Sequence, residues 1–241
     1  MVSPFDLTGE VALVVGAAPG GLGERAARAL SDQGATVVGA DLDGDGASRL
    51  RVDVTDEASV AALVGTVLAR HGRIDVLVNA AGVMLRKPYD ETSLSEFEHV
   101  VRVNLTGSWL LAREVAQVMA GNGRIVNLST VYAERVGPVP ESAYYASKAG
   151  VANVTRALAA ELGPRGITVN CLAPGVFYPT KMTAALGDDP ERLQWFADRT
   201  MLGRLGDPDT DFAGPLLLLA STASSYLTGQ VLYVDGGWSA W

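Results

Sequence analysis

Residues 11–23 read VALVVGAAPGGLG, and this stretch decides the fold. Its first part, 11–16, is a continuous apolar run closed by a glycine, the pattern of a parallel strand buried on both faces. Residues 22–30 then have helical character rich in Ala and Arg. Gly16, Gly20, Gly21 and Gly23, with Leu22 among them, occupy the junction. Amides at a helix start favour a diphosphate, and side chains there would obstruct its approach, so the junction predicts a dinucleotide site. The spacing departs from G-x-G-x-x-G, and the glycines alone are equally compatible with a tight strand-to-helix turn.

Outward from this stretch the alternation repeats. Strands are expected at 36–40, 50–54, 76–79, 124–129, 168–172 and 230–234, helices at 57–70, 94–119 and 142–162, and further helices within 181–198 and 209–220. Such winding without a long linker predicts an α/β fold, a single-domain Rossmann-type doubly wound parallel sheet with helices on both faces. Residues 176–206 mix Pro, Gly, Asp, Met and aromatics without a period and are the expected substrate lid.

Composition narrows the partners. In 241 residues, 48% are hydrophobic and 19% charged, which suits a wide buried sheet. A net charge of −8 argues against nucleic acid and favours a small molecule. One cysteine, Cys171, and two histidines exclude an intrachain disulfide and the usual soft metal clusters, and suit a reduced cytoplasm. The start of the chain lacks a signal-peptide pattern, and the apolar run at 216–220 is far shorter than the ~20 residues of a membrane helix.

Asp41 ends the second predicted strand, where a carboxylate accepts from the adenosine ribose hydroxyls and repels a 2′-phosphate, pointing to NAD. The neighbouring Asp43, Gly44, Asp45 and Gly46 also read as a turn. They imitate a calcium loop, but Val52 stands where a bidentate Glu is required.

Tyr144 and Lys148 stand at i and i+4, on one face of a helix. A phenol titrates near ~10, and an adjacent ammonium is expected to lower that value. Tyr144 would then exchange a proton with a substrate oxygen while hydride passes to or from a nicotinamide, with Lys148 also holding ribose hydroxyls. The plain alternative is an amphipathic Tyr144 with Tyr145 as its core partner.

The strand-glycine-helix start, Asn79-Ala80-Ala81-Gly82, Asn104, Asn127-Leu-Ser129-Thr130, Tyr144-x-x-x-Lys148, Pro174-Gly175 and Val234-Asp-Gly-Gly237 together resemble the classical short-chain dehydrogenase/reductases across nearly the whole chain. The resemblance implies a water relay behind Lys148 supported by Asn104, and a hydroxyl after the Arg124 strand that orients the substrate oxygen. It implies adenine contacts from Asp53 and Val54, a cofactor cleft lined by Asn79, Ala80, Ala81 and Gly82, nicotinamide contacts around Pro174, Gly175 and Phe177, and a homotetramer.

Three departures cluster around the implied cleft. Val15 replaces a Thr and the glycine turn is one residue longer between Gly16 and Gly21. The orienting position is Thr130, fourteen before Tyr144, with Ser129 beside it, and either hydroxyl can serve. An extra residue lies in 176–180.

The leading expectation is an NAD(H)-dependent oxidoreductase interconverting a secondary alcohol and a ketone. A 3-oxoacyl-thioester reductase and a non-catalytic NAD-sensing protein are the alternatives. Phe177, Tyr178, Met182, Leu186, Trp195, Phe196 and Met201 are expected to form an apolar wall, while Arg86, Arg135 and Lys181 leave room for an acidic substrate. His99 reads as lying on a polar helix face, His71 at a helix end and Cys171 in a core strand. Trp238 and Trp241 are expected to anchor a subunit contact or to cap the last strand.

Overall fold

Five consecutive apolar residues form β1 (Val11–Val15), and all five are buried. A strand without a polar face is stable only between two covering layers. The side chains of β1 alternate accordingly. Val11, Leu13 and Val15 face the core built with α2 (Glu57–His71), α4 (Gly107–Val118) and α5 (Ser142–Leu162). Ala12 and Val14 face the core built with α1 (Leu22–Asp32) and α7 (Ala213–Ala220).

The computed structural model describes residues 3–240. Its seven-stranded parallel sheet has the order β3-β2-β1-β4-β5-β6-β7. The other strands are β2 (Thr36–Asp41), β3 (Leu50–Arg51), β4 (Val76–Asn79), β5 (Arg124–Leu128), β6 (Thr168–Pro174) and β7 (Val231–Val234). β1 pairs in parallel with both β2 and β4, so the winding reverses between β1 and β4 and opens a crevice at their carboxyl ends. Among the described residues no helix is long and apolar enough to cross a membrane.

Three sequence expectations need correction. The strand expected at 50–54 stops after Arg51, because Asp53 turns its carboxylate to the Thr55 amide and hydroxyl and gives its own amide to Ser59, replacing ladder bonds with local ones. The helix expected at 94–119 is divided into α3 (Leu94–Val101), started by a Ser93/Glu96 capping box, and α4, with a wide π-helical turn at Arg102–Thr106 that carries Asn104 inward. The helix expected within 209–220 is present as Ala213–Ala220, preceded by turns in which Asp211 pairs with Arg204. Trp238 is buried against Phe196, Trp195 and Tyr132 and is no surface anchor, while Trp241 lies outside the described residues.

Inside 176–206 the chain is ordered by a bridge between Phe177 and Gly206 and by α6 (Pro190–Ala197), whose start is capped by the Asp189 carboxylate. Leu186 and Phe196 are buried with Trp238, so these residues build a small core of their own.

Gly23 sits in the first turn of α1, where an added methyl would overlap the Gly16 carbonyl. Helix propensity alone favours Ala over Gly by about 1 kcal/mol. The overlap reverses that sign, so Gly23→Ala should lower the urea midpoint by an amount equivalent to about 2 kcal/mol. An unchanged or higher midpoint would refute the packing role.

Candidate active site

A cleft of about 840 Å³ runs along the carboxyl ends of the central strands. At its first end, Gly16 (φ +88°) turns the chain out of β1 so that both its amide and that of Ala17 donate to the Ala40 carbonyl, at 2.9 and 3.2 Å. The lengthened turn is closed by side chains. Asp41 Oδ2 accepts from the Ala18 amide at 2.9 Å, its Oδ1 accepts from Leu42 at 2.8 Å, and Glu24 accepts from the Gly20 amide at 2.9 Å. Asp41 therefore lines the cleft and buttresses the glycine turn at once.

Gly16, Gly21, Leu22 and Gly23 line this end, as do Ala80, Ala81 and Gly82 after β4, whereas Gly20 does not. Asp53 and Val54 also line the cleft, following Val52, whose amide donates to the Asp41 carbonyl at 2.9 Å. Hydrogen bonds from Thr55 hold the Asp53 carboxyl below the usual carboxylate range. Asn79 lies away from the cleft, buried in the sheet with its amide 3.5 Å from Asn127 Oδ1.

At the other end α5 presents Tyr144 and Lys148, both buried. The Lys148 ammonium donates to the Leu128 carbonyl at 2.8 Å and stands 5.9 Å from the Tyr144 ring centre. Burial pushes Lys148 down to about 8. Burial also pushes the Tyr144 phenol above its ordinary value, reinforced by Glu141 and opposed by a hydrogen bond to Thr130. The expected lowering of Tyr144 by Lys148 is thus overruled, because desolvation of the phenolate is the larger effect.

The two candidate hydroxyls separate cleanly. Ser129 Oγ donates to the Lys148 carbonyl at 2.8 Å, tying β5 to the helix backbone. Thr130 is the one close enough to act on the Tyr144 phenol, and its hydroxyl donates to the Pro174 carbonyl at 3.3 Å. Asn104 does not line the cleft. Its amide clamps the Val83 backbone at 2.8 and 2.9 Å and donates to Ser147 Oγ at 2.9 Å, just behind Gly82 and Lys148. Pro174, Gly175 and Phe177 close the floor.

Of the expected apolar wall only Phe177 and Met182 reach the cleft. The aromatic residues of α6 pack away from it, and Met201 is exposed elsewhere. Arg135 also points away, donating to the Ser239 carbonyl.

Thr180 and Thr183, not singled out beforehand, and His99, read only as a surface residue, complete the lining. His99 projects from the exposed face of α3 to the rim, and Thr180 and Thr183 flank Lys181 and Met182 at the opposite rim. Arg86, weighed only as room for an acid, enters beside Tyr144, its Nε 2.8 Å from the buried carboxylate of Glu141. Glu141 precedes Tyr144 by one helical turn, but only the fold brings Arg86 to it, so periodicity offered no signal.

The residues present fit a nicotinamide dinucleotide. Gly21, the residue that starts α1, has no side-chain cap, so amides of the first turn remain for a diphosphate, and the cleft continues from there to Tyr144.

Comparison with known proteins agrees. The family model described as enoyl-(acyl carrier protein) reductase matches residues 16–239. Cis-4-hydroxycyclohexanecarboxylate dehydrogenase of Sinomonas cyclohexanicum is 39% identical, over 95% of this chain and 96% of that protein. The 3-oxoacyl-(acyl-carrier-protein) reductase of Vibrio harveyi is 36% identical, over 97% and 98%. The crystal structure of a gluconate 5-dehydrogenase from Burkholderia cenocepacia J2315 in complex with NADP and tartrate superposes with a TM-score of 0.90 at 33% identity, over 99% of this chain and 98% of that one.

Arg86 and Glu141 give a pH-dependent test of this geometry. Burial raises the Glu141 carboxyl above its ordinary range even beside Arg86. Arg86 is itself 38% exposed, so removing it should cost about 1–2 kcal/mol at neutral pH. A raised folded-state value means that the native form binds the Glu141 proton more tightly than the unfolded form, so stability is lost as pH rises. Arg86→Met should therefore destabilise more at pH 7.5 than at pH 5 in urea titrations; an equal loss at both would contradict the buried pairing.

Proposed function

The chain belongs to the short-chain dehydrogenase/reductase family and is an oxidoreductase that interconverts secondary alcohols and ketones with a nicotinamide coenzyme; from that premise we propose that its coenzyme is NAD(H) and that Tyr144 is its general acid and base. The observation that carries the reading is the placement of Tyr144, Thr130 and Lys148 at one end of a cleft whose other end is formed by Asp41 and the α1 start.

The bound coenzyme supplies or accepts the hydride. Tyr144 Oη gives its proton to the carbonyl oxygen in reduction and takes it from the alcohol in oxidation. Its raised value keeps the phenol protonated, and so ready to donate, across neutral pH. Thr130 exchanges its weak bond to Pro174 for one to the substrate oxygen and fixes the reacting carbon. Lys148, charged below about pH 8, holds ribose hydroxyls and favours the phenolate as it forms. Asn104 keeps the loop behind Lys148 in place through the Val83 backbone.

Asp41 supports NAD. Its two oxygens are pinned at the rim by the Ala18 and Leu42 amides yet retain lone pairs for ribose hydroxyls, and its charge opposes a 2′-phosphate. The substrate is a hydroxy or keto compound with an apolar part against Phe177 and Met182 and an acidic group within reach of Arg86. The relatives named for hydroxycyclohexanecarboxylate and gluconate support an acid of this kind. Residues 176–206 serve as the lid over this substrate. The family resemblance supports a cytoplasmic homotetramer.

The second reading, a 3-oxoacyl-thioester reductase, is favoured by the similarity to the Vibrio harveyi reductase. Coenzyme choice separates the two. Screening ketones, sugar acids and 3-oxoacyl thioesters should give a kcat/KM with NADH at least about 100-fold above that with NADPH. Asp41→Asn should narrow that ratio by about tenfold. Thioester turnover driven mainly by NADPH would overturn the reading.

The site residues are tested separately. Tyr144→Phe should abolish turnover while leaving NADH binding within about threefold, which also separates an enzyme from a non-catalytic sensor. Thr130→Val should lower kcat by about 100-fold, whereas Ser129→Ala should cost about 1 kcal/mol of stability and little rate. The reverse ranking of the two hydroxyls would refute the assignment.

A further inference from the structure

The two lengthened segments of the cleft touch. The extra residue of the glycine turn lies within Ala17-Ala18-Pro19-Gly20, and that of the opposite rim lies in 176–180, immediately before Lys181. The Lys181 amide donates to the Gly20 carbonyl at 2.7 Å, and Gly20, at φ +79°, presents that carbonyl by adopting a conformation that other residues avoid. Thr180 and Thr183 share a 2.8 Å hydroxyl bond, and the Thr183 hydroxyl donates to the Phe177 carbonyl at 2.8 Å. Lys181 is thereby carried on a tight, internally bonded turn clipped to the glycine turn.

Its side chain is exposed and lines the cleft at the rim next to that turn. It takes part in none of the ion pairs found among the described residues, although Glu24 and Asp41 are the acids nearest in the chain fold to this turn. Those two carboxylates have captured the Ala18 and Gly20 amides; Arg25 answers Glu24 at 2.6 Å, but no ion pair found among the described residues answers Asp41. Compared with a turn whose amides are all open, this one offers a diphosphate fewer donors and more repulsion. Among the described residues Asp41 has no cation against it, and Lys181 is a cation without an ion pair that lines the cleft beside this turn.

We propose that Lys181 is a diphosphate-binding residue of the coenzyme site, its ammonium offsetting the unpaired charge of Asp41 and locking the 176–183 rim onto the glycine turn. The inference rests on the dinucleotide reading of the cleft. It adds a ligand residue on the substrate side of the cleft, supplied by a segment that folds over the coenzyme and not by the βα turn itself.

Calorimetric binding of ADP-ribose and of adenosine, with NADH displacement as a cross-check, tests it without turnover. Lys181→Met should weaken ADP-ribose about fivefold to tenfold and flatten its salt dependence, because one phosphate-facing charge is gone. Adenosine, which has no phosphate, should bind the variant as it binds wild type, and Lys181→Arg should restore most of the ADP-ribose affinity. An ADP-ribose affinity within twofold of wild type overturns the proposal. So does an equal loss for adenosine and ADP-ribose, which would mark a merely structural role for the turn. If the wild-type protein binds neither ADP-ribose nor NADH, the dinucleotide reading itself falls; if it binds both and Lys181→Met is unaffected, only this inference does.

Discussion

The close approach of Gly16 to the backbone of Ala80 and Ala81 is the contact on which the rest of the arrangement depends. β1 and β4 are neighbours in the sheet, yet the chain leaves them toward opposite layers, α1 to one face and α4 to the other. Only a residue without a side chain, in a left-handed conformation, lets the two departing loops touch at that divergence. The crevice is thus a consequence of winding, and every functional group hangs from its edges: Asp41 from β2, Thr130 from the end of β5, Pro174 from β6.

Two cations of the cleft, Arg86 exposed at its rim and Lys148 buried, show two ways of meeting the cost of desolvation. Arg86 reaches a buried carboxylate, so the pair is neutral and its position is fixed by charge. Lys148 has no acid beside it, only the Leu128 carbonyl, and so it gives up its proton far more readily than a surface lysine does. The first solution stabilises a wall. The second keeps a group responsive to charge that develops next to it, which is what proton transfer by a buried phenol requires.

The features legible in sequence were those with a local period or a short spacing. The apolar run of β1, the glycines after it, Asp41 at a strand end and the Tyr144/Lys148 face all follow from neighbours within a few residues, and, Gly20 apart, they are where they were expected. The choice between Ser129 and Thr130 was not local. It depends on how the end of β5 is rotated against α5, which sends one hydroxyl to the helix backbone and the other to Tyr144. Arg86 and Glu141 lie far apart in sequence and meet only through the sheet. Aromatic residues in the 176–206 segment looked like a substrate wall because composition does not reveal direction; most of them pack on Trp238 instead.

The lengthened glycine turn also changes what Asp41 means. In a shorter turn an acid at this strand end is free to act on ribose hydroxyls alone, but here the same carboxylate receives the Ala18 amide and so holds the extra residue in place. Coenzyme preference and turn geometry are therefore coupled through one side chain. A chain that exchanged Asp41 for a neutral residue to admit a 2′-phosphate would at the same time release the turn that positions the diphosphate. Glu24 binds the neighbouring Gly20 amide in the same manner, and the Gly20 carbonyl in turn holds Lys181. The insertion is thus tied on one side to Asp41 and on the other to the rim that carries Lys181.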